Sequence, residues 1–240
     1  MDASKQTVSP SAEFTIFPSV GGELARLDCD DRPFILLAWR GRRVELSGGA
    51  THFGFVESGR PTLTCESGEF RLTPGMYFSA VGAAALDGDG LGMVVSQLEH
   101  RGFFQLGGPI EATGRLRYID GCSDSLLIGP IRQGDACLNL LHIPPGTNQT
   151  THTHPSFRAG LVVRGRGVCR TADGETQMTP GAVFVIAAEC RHSFHTLGEA
   201  LTVVAFHPDS DWGPTDEFHP MLNRTYVDGV SASRRRGETP

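Results

Sequence analysis

Apolar residues in this chain come in short runs that stop at glycine or proline. Residues 137–143 (CLNLLHI) end at Pro144-Pro145-Gly146, residues 160–163 end near Gly165, residues 182–186 follow Pro180-Gly181, and residues 201–206 end before His207-Pro208. The first half has the same texture at residues 33–39, 71–72, 76–78 and 92–98. Runs of this length suit strands and are too short for helices. No segment carries a sustained helical period, so the pattern predicts an all-β chain.

The runs repeat. Displacing the chain against itself by 106 positions, without gaps, brings Val56 onto Val162, Gly59 onto Gly165, Gly68 onto Gly174, Thr73-Pro74-Gly75 onto Thr179-Pro180-Gly181 and Phe78 onto Phe184. Most matched residues form turns, where glycine supplies positive φ and proline presets φ. Shared turn positions with apolar runs between them predict two modules of one fold. We place the first at residues 1–112 and the second at 113–228, with an ordered packing arm at 208–228 and a disordered tail at 229–240.

The chemistry concentrates in the second module. His152 and His154 stand two residues apart, a spacing that puts both on one face of a strand and aims both into one barrel. His192, from a later strand, can close a facial set of three imidazoles and leave open positions for water or substrate. The competing reading is a pair of exposed loop histidines near a third by chance. At the same offset the first module offers Leu46, Gly48 and Leu86, none of which can ligate a metal; His52 lies nearby as a surface or core histidine.

Around these histidines the spacing is Gly146, five residues, His152-Thr153-His154, three residues, Arg158, six residues, Gly165, and later Gly181 and His192. This resembles the two motifs of the cupin superfamily, and the chain as a whole looks like a bicupin: two cupin (double-stranded β-helix, jelly-roll) barrels, the N-terminal one degenerate. Three departures stand out. Arg158 occupies the place of the motif's glutamate ligand, Ala187-Ala188-Glu189 replaces PxG, and Thr196 replaces the final asparagine.

A site of three histidines leaves a divalent cation uncompensated by its ligands, which favours an anionic partner in the open positions. Arg158 is a candidate substrate anchor if it points inward, because its fork pairs with carboxylate or phosphate; the alternative is a rim salt bridge. The resemblance implies an Fe(II)-dependent dioxygenase that takes a small anionic or chelating metabolite together with O2. Imidazole ligands also admit Zn, Ni, Cu or Mn. Two other classes stay open. The metal could act as a Lewis acid in an isomerase, lyase or hydrolase, with His142, His195 or Glu189 as the base; of these, His142 is the candidate for the pocket wall. Alternatively the bicupin binds a small ligand without turnover.

Composition narrows the field modestly. Formal net charge is −6 and pI about 5.8, and the one basic run, Arg234-Arg235-Arg236, sits in a polar tail, so no nucleic-acid partner is expected. Residues 1–10 lack the apolar core of a secretory signal, and no stretch approaches a membrane span, so no membrane partner is expected either. The six cysteines lie far apart, without CxxC pairs; reduced, buried thiols and a cytoplasmic location are the default expectation. A homodimer is expected through strand or arm exchange.

Overall fold

The computed structural model of the chain describes residues 13–17 and 21–235. Helix among them is confined to Pro220–Asn223 and two 3-10 turns, Ile119–Gly121 and Ala232–Arg235. The rest is strand, turn and loop, and no helix is long and apolar enough to cross a membrane.

The strands build two modules, each a pair of sheets around its own core. In the first, a six-stranded sheet runs in the order Gln105–Gly107, Tyr77–Val81, Ala50–Gly59, Gly90–Leu98, Arg32–Arg40, Gly22–Cys29, and a four-stranded sheet runs Val44–Leu46, Ala84–Asp87, Thr62–Cys65, Gly68–Arg71. In the second, a seven-stranded sheet runs Phe14–Phe17, Val183–Ile186, Arg158–Gly165, Leu201–His207, Cys137–Ile143, Ser123–Ile128, Leu116–Arg117, opposite a three-stranded sheet of Gly174–Met178, Gly167–Thr171 and Ser193–His195.

The sequence repeat is a repeat of backbone geometry. Val56 N donates to Met76 O at 2.9 Å, and Val162 N donates to Ala182 O at 2.9 Å. Gly75 N reaches Val56 O at 2.8 Å, and Gly181 N reaches Val162 O at 2.8 Å. Gly75 and Gly181 have φ of 85° and 81°, a left-handed conformation that costs a side chain free energy and glycine nothing. A third pair is steric: a Cβ on Gly54 would run into the Phe78 ring, and one on Gly160 into the Phe184 ring. The turn residues recur because the same close approaches recur.

Strand alternation divides the core into three parts. Along Leu201–His207, Leu201 and Val203 face the interior of the second barrel, while Val204 and Phe206 face the other way. There they meet Phe34 and Phe53 of the first module, with ring centroids 5.7 and 5.1 Å from Phe206. The two large sheets thus pack back to back over one apolar layer, and each module keeps a separate interior.

Two expectations need correction. Phe14–Phe17, assigned by sequence to the first module, pairs antiparallel with Val183–Ile186 and forms the edge of the second module's large sheet. The arm at 208–228 is ordered, and its larger apolar side chains lie open on this chain. Its start packs on the loop before residue 136, with Gly134 N donating to Ser210 O at 2.8 Å, while Trp212, Phe218, Met221 and Tyr226 remain about two-thirds exposed. Residues 229–235, expected to be disordered, continue it as a short hairpin strand and a 3-10 turn; residues 1–12 and 236–240 lie outside the described residues. All six cysteines are free thiols.

Candidate metal centre

The loop that carries the histidines is built by backbone pairing across the barrel mouth. After Pro144-Pro145, Gly146 takes φ 74° and turns the chain back. Residues 147–152 then run antiparallel to 192–196: Thr196 N donates to Thr147 O at 3.0 Å, and His152 and His192 exchange both backbone hydrogen bonds at 3.0 Å. Thr196, which stands at the family's asparagine position, clamps this loop, accepting from Thr147 N at 3.0 Å and donating to Pro144 O.

That pairing gathers the three imidazoles. One ring nitrogen from each of His152, His154 and His192 lies within 4.8 Å of the other two, and ring centroids are 4.5 to 5.1 Å apart. Backbone carbonyls select the tautomer of two of them. Nδ1 of His152 lies 2.9 Å from Thr150 O, and Nδ1 of His192 lies 2.9 Å from Cys190 O. A carbonyl only accepts, so Nδ1 carries the proton and Nε2 keeps its lone pair, the arrangement of a metal-ligating histidine. Nε2 of His192 is buried and has no hydrogen-bond partner. An orphaned buried acceptor costs about 1–3 kcal/mol, and a cation would remove that cost.

The residues fit a metal ion. Three nitrogens about 2.1 Å from one ion stand roughly 3.0–3.4 Å apart in a facial or tetrahedral set. The ring nitrogens here lie within 4.8 Å of one another, so side-chain rotations that close the set by up to roughly 1.5 Å would grip an ion. Burial, with help from Arg158 and the neighbouring rings, pushes His154 down to about 3 and His192 down to about 4. Both are therefore neutral, donor-competent imidazoles at neutral pH.

The histidines line a cavity of about 210 Å³ whose deep wall is Phe184, Ile186, Phe194 and Val203. A second cavity, bordered by Asp209 and Trp212 at the start of the arm, lies beside it. Asp124, Asn139, His154, Arg158 and His207 line both cavities.

Arg158 points inward. It opens the strand Arg158–Gly165 on the same face as Gly160 and Val162, and it is buried. Its Nη1 donates to Ser156 Oγ at 2.6 Å and Phe157 O at 2.9 Å, and lies 3.6 Å from Asp209 Oδ1. Nε is buried without a partner. Both sequence readings are met in part: the guanidinium lines the histidine cavity, and it also forms a salt bridge to Asp209 of the arm.

Asp124, Asn139 and His207 escaped the sequence reading. Asn139 Nδ2 donates to Asp124 Oδ2 at 2.9 Å, leaving Asn139 Oδ1 buried and unpartnered. Burial raises Asp124 above the usual carboxylate range and pushes His207 well below the usual imidazole range. Asn139 had a readable signal, as a polar residue inside the apolar run CLNLLHI in register with the inward-facing Leu141.

The bases considered from sequence lie elsewhere. His142 is a correction: along Cys137–Ile143 it shares a face with Leu138 and Leu140, turned away from the cavity, and its Nδ1 meets Thr202 Oγ1 at 3.2 Å. His195 faces outward to Ser193 Oγ at 2.8 Å and Arg170, and Glu189 is exposed at φ 58°. His52 is a core histidine of the first module. Burial pushes the Cys190 thiol up to about 11, so it remains protonated.

Comparison with known proteins agrees with this architecture. Residues 139–207 match the family model described as Cupin domain. Comparison with curated protein sequences gives no match. Among solved structures, a Cupin 2 conserved barrel domain protein from Leptotrichia buccalis superposes with a TM-score of 0.57 at 12% identity, over 84% of this chain and 92% of that one. A salicylate 1,2-dioxygenase from Pseudaminobacter salicylatoxidans gives 0.55 at 12% identity, over 74% and 70%. A variant of that dioxygenase in complex with gentisate gives 0.54 at 11%, over 74% and 68%. At these identities the likeness is one of fold: the chain is an all-β protein with the cupin fold, and the match to the family model of the cupin domain falls on residues 139–207.

Proposed function

We propose that the second module is the active site of a mononuclear metal-dependent enzyme, an Fe(II) oxygenase acting on a small anionic or chelating metabolite. The observation that carries this reading is the convergence of three imidazoles at the cavity wall, with Nε2 of His192 buried and unpaired there. His152, His154 and His192 would hold the ion, which would supply open positions for a chelating ligand and redox chemistry with O2. The chain's own residues do the rest. Arg158 offers an unpartnered Nε to an anionic group, and the wall of Phe184, Ile186, Phe194 and Val203 excludes water and seats an apolar body. The gentisate complex of the salicylate dioxygenase variant lends weight to a small hydroxylated acid as ligand.

Asp124 favours a second reading. A carboxylate inside the cavity supplies the base that Lewis-acid isomerase, lyase or hydrolase chemistry requires, a role that His142, His195 and Glu189 are misplaced to fill. Dependence on O2 separates the two.

The test is metal content by mass spectrometry on untagged protein purified without air, beside the His152→Ala/His154→Ala double variant. About one iron per chain, lost in the variant, followed by O2 consumption with a hydroxylated acid, is the expected result. Zinc or nickel in that stoichiometry, with turnover indifferent to O2, would transfer the assignment to Lewis-acid chemistry. Protein that binds no metal even when iron is offered would end both.

A further inference from the structure

Resting on the metal-site reading above, we infer that Asp124, oriented by Asn139, is the proton acceptor for the ligand that enters this cavity, and that the ligand is accordingly one that must lose a proton from oxygen to bind.

The case begins with position. Asp124 sits on Ser123–Ile128 and Asn139 on the neighbouring Cys137–Ile143, diagonal to one another with Leu126 opposite Asn139 and Leu141 opposite Asp124. Both line the cavity that holds the three histidines, and the neighbouring cavity as well. Among the described residues Asp124 is the only carboxylate lining the cavity that holds the histidines. Among the described residues it has no cationic partner, because Arg158 turns instead to Asp209. A carboxylate in an ion pair holds its proton weakly; one free of a pair, and partly shielded from water, is a serviceable base.

The asparagine fixes the geometry. Its Nδ2 occupies Asp124 Oδ2, leaving Oδ1 of the aspartate to receive a proton and Oδ1 of the asparagine, buried and unpaired, to accept from a donor on the ligand. A ligand hydroxyl meeting this pair breaks its O–H bond, the proton passes to Asp124 Oδ1, and the electron pair stays on the ligand oxygen. That anion is the form favoured by a cation held by three neutral imidazoles, since none of them offsets its charge. A motif glutamate would have supplied negative charge at the ion; here Arg158 stands in its place, and the cavity's one carboxylate has moved to the wall, where it can take a proton. Burial pushes its affinity for a proton in the useful direction. Of the other titratable groups that line these cavities, Tyr118 and Cys137 are pushed up and His207 stays neutral beside Arg158, while His154 and His192, which are pushed down, are the groups that would be taken up by the ion.

The test uses the full chain loaded with Co(II), whose visible spectrum reports ligand binding directly. Two probes are compared by stopped flow: acetohydroxamic acid, which sheds a proton on chelation, and azide, already an anion at neutral pH. Asp124→Asn should slow association of acetohydroxamic acid about 100-fold, the lower end of what a positioned base contributes, and abolish the fall in rate that wild type shows on acidification. Azide should bind both proteins alike, and Asp124→Glu should restore part of the hydroxamic acid rate. Asn139→Ala, which keeps the carboxylate but frees it, should fall between and serves if Asp124→Asn does not fold. Equal loss for both probes would make Asp124 a matter of access or structure and overturn the proposal, as would no loss for either. Protein that takes up no Co(II) would overturn the metal reading and this one with it; Co(II) bound with an indifferent Asp124 would overturn this one alone.

Discussion

The two modules share a scaffold and differ in what fills it. The first interior is closed by Trp39, Leu46, Leu63, Phe78 and Leu86, all buried. The second keeps the equivalent of Phe78 in Phe184 but places His152 and His192 where the first has Leu46 and Leu86, and leaves a cavity beside them. Even the strand pairing differs in a way that preserves facing. His152 lies opposite His192, whereas Leu46 lies opposite Ala84 and Leu86 opposite Val44, a slip of two residues. A slip of two leaves each side chain on its original face, so leucines still point into the first barrel. A closed core and a ligand site are thus alternative fillings of one frame, and the site's cost can be read against its own sibling.

The most severe way to break that contrast is to give the second barrel the first one's solution. His192→Leu should abolish metal retention, a loss of at least about 100-fold in affinity, since a facial set of three cannot hold an ion well with two. Stability of the metal-free protein should nevertheless stay within about 1 kcal/mol of wild type, because the lost hydrogen bond to Cys190 O is offset by removing a buried, unpaired Nε2. Urea denaturation of chelator-treated protein checks the second half. A metal-free variant that unfolds far more easily would mean that His192 is chiefly structural.

Much of this frame was legible in the sequence, and the reason is local. Gly54 and Gly160 are required by aromatic rings, and Gly75 and Gly181 by positive φ, so the repeat shows in the very residues that cannot drift. The set of His152, His154 and His192 is legible because one strand-like bridge pairs His152 with His192 and His154 follows two residues on. What was hidden depends on pairing between segments remote in sequence. Nothing in FTIF says that it edges the far module's sheet. Asp124 faces the cavity only because its strand pairs with Cys137–Ile143 in a particular register. His142 was misread because its nearness to the motif in sequence says less than its parity along the strand, which turns it outward with Leu138 and Leu140.

A gentler test compares the steric pair. Gly54→Val and Gly160→Val should each destabilise, by about 1–3 kcal/mol, as overpacking does. They should not be equal. Phe78 is enclosed by the filled core of the first module, while Phe184 borders the cavity and can tilt into it. Gly160→Val should therefore cost less in a urea titration and lose cavity volume, weakening small-anion binding at the Co(II) site. Equal destabilisation with unchanged anion binding would show that the cavity lends Phe184 no freedom.

The smallest effect distinguishes how each barrel tolerates a histidine. His52 is fully buried, with Nε2 3.0 Å from both Ser47 O and Gly82 O, and Nδ1 2.7 Å from Ser96 Oγ. Two carbonyls at Nε2 require the proton there, so Nδ1 accepts from the serine and the neutral ring is satisfied. Burial lowers its pKa, and the two carbonyl contacts offset only part of that. The sign follows from where the proton goes. Above about pH 6.5 the ring is neutral in both folded and unfolded chains and stability is independent of pH on its account; below that, the unfolded chain binds a proton that the fold resists, and stability falls until the folded pKa is reached. The slope per such group is at most about 1.4 kcal/mol per pH unit. His52→Gln should flatten the decline between pH 7 and 5 by less than that amount, measured by urea denaturation, and leave metal content untouched. A variant as acid-sensitive as wild type would place the whole pH dependence in the second module, where the histidines are held for a ligand rather than satisfied by the fold.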